Sequence, residues 1–241
     1  MNRTRTALWI LALSLALASV AGAAPTPEAK CTAAKLNAQR KRSFCIAGVQ
    51  RTEILGKTAD LAKCSAMFDK QIAAADKAAA KQSTACRWLD NGDGTATDLN
   101  SGLQWELKTD DGSIHDKDDT YTWNLVINGS PDPDGTAFSV FLGTLNGGTS
   151  VDGGTTTGCF AGKCDWRLPL LGELRGIVDA PYPTCTINPC TTIPGLTASG
   201  FYWTRTNLDS GYAFTVSFAN GIYGNANKGL SLAVRAVRGG A

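Results

Sequence analysis

The spacing of apolar residues predicts that the first part of the chain is helical. Residues 28–85 are rich in Ala, Lys and Gln, and their apolar side chains recur mostly at steps of three and four residues. This spacing lines one face of a helix. The clearest series is Leu61, Cys64, Phe68, Ile72, Ala75 and Ala79. The segment Gly56–Thr58 interrupts the pattern, so we predict one helix from about Thr32 to Leu55 and a second one that Thr58 or Asp60 caps.

After Cys86 the pattern changes to alternating apolar and polar positions separated by turn residues. The alternation predicts strands at residues 95–98, 103–107, 212–218 and 230–234, and Asn-Gly and Asp-Gly pairs mark tight turns. Two apolar helix faces, at residues 137–145 and 170–178, lie between the strands. Many short strands combined with two short helices predict an α+β domain.

The first 23 residues have the pattern of a secretory signal peptide. Arg3 and Arg5 precede an uncharged apolar stretch, residues 7–20, and small residues follow at a suitable cleavage position. The stretch is too short to cross a bilayer, and no later stretch reaches about 20 apolar residues. We therefore predict a secreted protein without a membrane span, located in the periplasm, at the cell surface or outside the cell. The predicted divisions are a signal peptide (1–23), a helical hairpin (24–86) and a second domain (87–241).

Eight cysteines agree with export, because oxidising compartments preserve disulfides. In the first module, the steps from Cys31 to Cys45 and from Cys64 to Cys86 each return to nearly the same helix face, within about 40°. In an antiparallel hairpin the inner cysteines flank the turn and the outer ones meet at the open end. This predicts Cys45–Cys64 and Cys31–Cys86.

The other four cysteines form two Cys-x4-Cys motifs. Local bonds, Cys159–Cys164 and Cys185–Cys190, would close each loop, and cross-pairing between the two loops is the alternative. Metal binding is a further alternative for the cysteines, but zinc sites favour closer pairs with His partners, and the chain has one His.

The charge divides in the same way as the helical and strand patterns. Residues 24–86 carry 11 basic and 5 acidic residues, a net charge of +6, whereas residues 87–241 carry 10 and 16, a net charge of −6. The basic module is suited to attract an anionic surface, although a solvated helical face explains the charge equally simply. We predict no nucleic-acid partner, and the sequence does not indicate the oligomeric state.

Four motifs in the second module resemble the domain of unknown function 1566 family, also known as the Legionella collagen-like protein C-terminal domain family. They are Asp93–Asp98 with Ser101–Trp105, Asp165–Pro169 with Glu173 and Leu174, Tyr202–Thr206, and Val234–Gly239. The resemblance covers residues 87–241 and implies a C-type-lectin-like fold, with two helices and twisted antiparallel sheets, used in surface adhesion and glycan attachment. A four-cysteine helical segment precedes it.

One departure from the family pattern concerns a helix start. Leu170 stands where the family usually has Thr, so Glu173 loses its partner in a capping box. We expect a helix start weaker by about 1 kcal/mol. Glu173 is then available to pair with Arg167 or another Arg.

Candidate ligand contacts lie on the closing strands. We expect Trp105 and Trp166 to be core residues, as tryptophans within such motifs usually are. Strand alternation places Trp203 and Arg205 on one side, so these two residues form a candidate ligand contact if that side faces solvent. Tyr223, on a later loop, is a candidate to join them.

An acidic stretch is the candidate cation site, and calcium is the candidate ion. Its carboxylates repel one another unless solvent or a cation neutralises them, although an exposed loop is the simpler interpretation. The residues are Asp110, Asp111, Asp116, Asp118 and Asp119.

No recognisable catalytic motif is present. His115 has no nucleophile at a recognisable spacing, and the sequence contains neither a Gly-x-Ser-x-Gly motif nor a phosphate-binding Gly loop. We therefore predict a non-enzymatic, secreted or surface-exposed binding or adhesion module without an obligatory cofactor, and glycan is the favoured ligand. The alternative is an envelope structural or assembly protein whose lectin-like domain binds a surface protein.

Overall fold

The computed structural model describes residues 25–55, 60–81, 86–125, 133–147 and 158–239. The predicted signal peptide and the predicted break at Gly56–Thr58 lie outside these residues. No helix in the described ranges is long and apolar enough to cross a membrane.

The first module is a pair of antiparallel helices, α1 (Pro27–Ile54) and α2 (Leu61–Ala80). Helix α1 begins five residues earlier than predicted, because Thr26 provides an N-cap (the Ala29 N–H donates to Thr26 Oγ1 at 3.1 Å) and Pro27 suits the first helical position. Asp60 caps α2 by accepting from the Ala62 N–H at 2.9 Å. Alanines and a few larger apolar side chains form the interface between the helices.

All four predicted disulfides are present. Cys31–Cys86 and Cys45–Cys64 join the two ends of the hairpin, with Cα–Cα distances of 6.0 and 5.7 Å. Cys159–Cys164 and Cys185–Cys190 close the two short loops, so the alternative of cross-pairing is wrong. These bonds fit a protein located outside the cytoplasm.

The second module is built from short strands and short helical segments. Its strands are β1 (Trp88–Asp90), β2 (Thr95–Asp98), β3 (Gln104–Glu106), β4 (Thr120–Thr122), β5 (Phe201–Asn207), β6 (Tyr212–Ser217), β7 (Tyr223–Asn227), β8 (Ser231–Ala233) and β9 (Val237–Arg238). A π-helical segment, Ala137–Leu142, continues into α3 (Gly143–Leu145), and α4 spans Leu171–Gly176. The predicted α+β class and both predicted helical regions are confirmed.

Over the described residues the strands form two sheets, in the orders β1-β2-β3-β9 and β4-β8-β5-β6-β7. The pairing is antiparallel except between β5 and β8. Strand β5 is covered on both faces: Tyr202 belongs to one apolar cluster, with Trp105 and Val216, whereas Trp203 belongs to the other, with Phe141. Tyr202 and Trp203 are therefore both core residues, although they point to opposite faces of the sheet.

A buried ion cluster lies beside this core. Glu106 is fully buried, and its Oε1 lies 3.0 Å from the Lys108 ammonium and 2.8 Å from Nδ1 of His115, while its Oε2 accepts from the Ala236 N–H at 2.9 Å. Burial by itself raises the pKa of the Glu106 carboxyl, but these neighbours outweigh the burial and hold the pKa below its ordinary value. Burial lowers the pKa of Lys108, more than Glu106 raises it.

A buried lysine joins the two modules. The Lys35 side chain is fully buried, and its ammonium lies 2.5 Å from Asp76 Oδ1 on α2 and 2.5 Å from Asn100 Oδ1 in the β2–β3 turn. The Gln39 amide donates to the Leu99 carbonyl at 3.3 Å. The hairpin is thus docked on the β2–β3 turn through one side of α1, in addition to the covalent Cys31–Cys86 bond.

Candidate ligand-binding groove

A groove of about 480 Å³ opens between α4, the loop that follows it and the start of β7. Such concave surfaces with apolar walls and a few polar groups are the usual form of small-ligand sites. The groove is lined by Gly172, Arg175, Gly176, Val178, Pro181, Tyr182, Gly221, Ile222 and Tyr223.

Two exposed tyrosines and one arginine give the groove its chemistry. Tyr182 and Tyr223 are 55% and 49% exposed, and the Arg175 guanidinium carbon lies 4.2 Å from the centroid of the Tyr223 ring. The guanidinium lies over one face of the Tyr223 ring, so the fork of N–H donors and the exposed part of an aromatic ring lie next to each other on the groove wall. A polar ligand with one apolar face, such as a sugar ring, matches this combination.

Close backbone approach explains why Tyr223 lies beside the loop that carries Tyr182. Gly221, in the β6–β7 turn, has φ +78°, and a Cβ at this position would lie 2.7 Å from the Ala180 carbonyl oxygen and 3.2 Å from the Cys190 sulfur. The Cys190 N–H donates to the Phe218 carbonyl at 2.6 Å. The turn and the disulfide-closed loop are therefore in direct contact, which only glycine permits.

Replacing Gly221 with alanine is expected to destabilise the domain by about 2–4 kcal/mol, because the change combines an unfavourable φ with a backbone clash. Gly92→Ala is the matched control, since Gly92 has a similar φ of +73° but no heavy atom within 4 Å of its Cβ position. Urea denaturation followed by tryptophan fluorescence measures both variants. Equal losses of stability would show that the close approach at Gly221 does not matter.

Trp203 does not meet the condition under which a ligand contact was expected, because its side of β5 does not face solvent. Trp203 is fully buried, and its indole N–H donates to the Tyr121 carbonyl at 2.8 Å. Alternation identified the side of β5 on which Trp203 lies, but that side faces the second apolar cluster rather than solvent. The two residues differ in burial, since Arg205 is exposed, and the β5–β6 register shifts between Trp203 and Asn207.

The other two predicted contact residues lie apart. Arg205 is exposed, and its backbone N–H donates to the Pro169 carbonyl at 2.7 Å, but its side chain does not line the groove. Tyr223 does line it. The expectation that Trp105 and Trp166 are core residues is confirmed, since both are buried and the Trp166 indole N–H donates to the Phe160 carbonyl at 2.9 Å.

The acidic stretch brings three of its five carboxylates together. Oxygens of Asp110, Asp116 and Asp118 all lie within 4.8 Å of one another. The Lys117 ammonium lies 3.0 Å from Asp110 Oδ2 and 2.6 Å from Asp118 Oδ2, so an internal cation already offsets part of the repulsion. Calcium binding at this cluster stays a prediction.

Several of these carboxylates also stabilise the loop itself. Asp116 accepts from the Gly112 N–H at 2.7 Å and the Asp118 N–H at 2.9 Å, and these bonds hold the pKa of its carboxyl below the usual value. Asp111 accepts from the Ser113 N–H at 3.0 Å, and Asp119 accepts from the Tyr121 hydroxyl at 3.3 Å. Local turn formation thus explains why acidic residues are placed here.

Helix α4, which carries Arg175, has an unusual N-terminus. Leu170 has no side-chain acceptor, so the forward half of a capping box cannot form. The reverse half remains, because Glu173 accepts from the Leu170 N–H at 2.7 Å while also binding Arg167 through two bonds of 2.7 Å. Thr206 on β5 supplies another acceptor, at 2.9 Å from the Leu171 N–H. The predicted Glu173–Arg167 pair is present. The Thr206 hydroxyl partly replaces the Thr that the family has in place of Leu170.

Sequence reasoning missed Arg175 and Tyr182. Tyr182 lies between Pro181 and Pro183, three residues before the loop that the Cys185–Cys190 bond closes, a context that favours an exposed aromatic ring but does not show what faces it. Arg175 follows Leu174, whose burial was predictable from helix periodicity. The sequence could therefore indicate only that Arg175 lies on the outward side of α4.

The chain matches a protein-family model. The model of the Lcl C-terminal domain family matches residues 94–238, more than half of the chain. The matched region contains the groove, the buried ion cluster and the acidic loop. No curated protein and no solved structure showed significant similarity to the chain.

Proposed function

Because the chain belongs to the Lcl C-terminal domain family, we propose that it is a secreted or surface-exposed adhesion module whose C-type-lectin-like domain binds a glycan in the groove between Arg175, Tyr182 and Tyr223. The proposal assigns no reaction to the protein. Its first residues act as the signal for export, and residues 24–86 and 87–241 act as two joined modules.

The observation that carries the proposal is the exposure of two tyrosine rings on one concave surface. Tyr182 and Tyr223 are 55% and 49% exposed on one groove wall beside the Arg175 guanidinium, the combination of apolar surface and a few polar groups that small-ligand sites use. Sugar rings stack on aromatic faces and accept hydrogen bonds from Arg. Apolar groove walls at Val178 and Ile222 also suit a protein side chain, which keeps a surface protein of the envelope as the second candidate ligand.

A glycan array probed with the full mature protein tests the ligand class, and groove variants test the site. Tyr223→Ala and Tyr182→Ala are each expected to weaken binding about tenfold, the loss of one stacking contact. Tyr212→Ala is the matched control, because Tyr212 is 43% exposed on β6 but does not line the groove.

The result has three informative outcomes. If the protein binds none of the glycans on the array, the result would favour the protein ligand and contradict the glycan assignment. Equal losses for Tyr223→Ala and Tyr212→Ala would contradict the groove as the site. Binding that survives chelation of calcium would exclude the acidic loop as a calcium-dependent part of the site.

A further inference from the structure

The two sides of helix α1 differ in what they contact. Lys35, Gln39 and Arg42 lie on the side that faces the second module or α2. Lys35 and Gln39 contact the β2–β3 turn, and Arg42 lies over the Phe68 ring. At 100° per residue, these positions lie about 140–180° away from Phe44. Phe44 therefore marks the middle of the side that the described residues of the hairpin and the second module do not contact, and it is 72% exposed.

The uncovered side carries a defined set of residues. Over residues 40–55, five exposed large or basic side chains lie within about 60° of Phe44 around the helix or are Phe44 itself. We call this set the α1 stripe; it consists of Arg40, Lys41, Phe44, Arg51 and Leu55. It extends over about 22 Å of helix. Leu55, at its end, is 67% exposed.

The charge of the stripe has one sign. Its three basic residues face outward without a carboxylate among them, whereas the two acidic residues of α1, Glu28 and Glu53, lie about 160–180° away on the other side. A solvated helix face usually mixes the two signs. A face that combines cations with exposed Phe and Leu side chains, and lacks anions, is complementary to a surface that is both negatively charged and apolar beneath.

We propose that the α1 stripe docks on an anionic phospholipid bilayer, with Phe44 and Leu55 inserted among the acyl chains and Arg40, Lys41 and Arg51 held at the phosphate level. Helix α1 then lies along the membrane surface and does not cross it. This contact is separate from the groove, so that the protein binds the bilayer through the hairpin and presents the second module to its ligand.

Both kinds of side chain are needed to identify this partner. A soluble polyanion would be attracted by the three basic residues but gains nothing from Phe44 and Leu55. A bilayer uses both, because each basic residue near an anionic leaflet and each buried apolar side chain add to the affinity. Sensitivity to both kinds of substitution therefore distinguishes lipid from a polyanion.

Vesicle sedimentation with the full mature protein tests the proposal. Wild type is expected to bind vesicles of phosphatidylglycerol with phosphatidylcholine and not vesicles of phosphatidylcholine alone, with binding weakened by salt. Phe44→Ser combined with Leu55→Ser is expected to lower the partition coefficient at least tenfold, through the lost apolar burial. Arg40→Glu combined with Arg51→Glu is expected to lower it at least thirtyfold.

Matched controls exist on other surfaces. Lys70→Glu combined with Lys77→Glu makes the same charge change on an α2 face that has no exposed large apolar residue, and Leu230→Ser removes a 52% exposed apolar side chain from the second module. Each control is expected to change binding less than threefold, and Tyr223→Ala is expected to bind vesicles like wild type. All substituted residues are exposed, and an unchanged far-ultraviolet circular dichroism spectrum verifies folding.

Three results would overturn the proposal. The first is wild type that does not sediment with anionic vesicles. The second is an α2 charge variant that loses as much binding as the α1 variant, which would assign the attraction to net charge alone. The third is full binding by the Phe44→Ser/Leu55→Ser protein, which would show that nothing inserts and would favour a polyanion.

Discussion

Replacing Glu106 with glutamine is expected to lower the free energy of unfolding by about 3–5 kcal/mol, because the change leaves the Lys108 ammonium buried without a counter-charge. Glutamine has nearly the same shape and can still accept from the Ala236 N–H, so that the loss isolates the charge. Urea denaturation at neutral pH, followed by tryptophan fluorescence, measures it. Adding Lys108→Met removes this buried, unpaired cation and is expected to recover most of the lost stability.

Acid provides an internal check on this prediction. The folded-state pKa of Glu106 lies below the ordinary value, so its contribution to stability is present above the unfolded-state pKa and is lost as the pH falls through the folded-state pKa. The difference between wild type and Glu106→Gln is therefore expected to shrink on acidification below about pH 4. A difference that is small at neutral pH, or that grows in acid, would contradict the assigned role of the ion pair.

Removing the Cys31–Cys86 bond by substituting both cysteines with alanine is expected to cost about 4 kcal/mol, because the bond closes a long loop in the unfolded chain (sequence separation 55). We expect the loss of stability to be largest in the hairpin. Over the described residues its helices bury only two large apolar side chains, Phe68 and Ile72, and helical pairs with so little apolar burial are marginal without covalent support. The helical circular dichroism signal at 222 nm is expected to melt at lower temperature than the tryptophan fluorescence of the second module.

The Cys159–Cys164 bond supplies the matched control. Its sequence separation is 5, so the same double alanine substitution is expected to cost about 2 kcal/mol and to leave the helical signal unaffected. Equal costs for the two pairs would contradict loop closure as the cause. Helices that melt together with the second module in the Cys31→Ala/Cys86→Ala protein would show that docking through Lys35 is sufficient by itself.

The helical hairpin and its disulfides were predictable because they depend on local periodicity and covalent geometry. The recurrence of apolar residues from Leu61 to Ala79 determines one helix face, and the cysteine spacing determines which ends can meet. Strands were predictable from alternation for the same reason. Each of these properties is set by residues that are close in sequence, or by a bond with strict distance limits.

The sequence did not predict which side chains become buried when elements that are distant in sequence pack together. Alternation places Trp203 on one side of β5, but only the structure shows that both sides of this strand are covered. Lys35 has the residue type of a solvated helix face, yet Asp76 and Asn100, from two other elements, make its burial possible. In the groove, Arg175 and Tyr223 come from positions 48 residues apart, and no local pattern indicates that they stack.

Amide chemical-shift mapping locates the ligand, which we propose binds between Arg175, Tyr182 and Tyr223. An isotope-labelled sample of the mature protein is titrated with the oligosaccharide that binds best on the array. We expect the largest shifts to cluster at residues 172–182 and 221–223. Shifts centred on the acidic loop at residues 110–119 or around Arg205, with the groove unchanged, would contradict it.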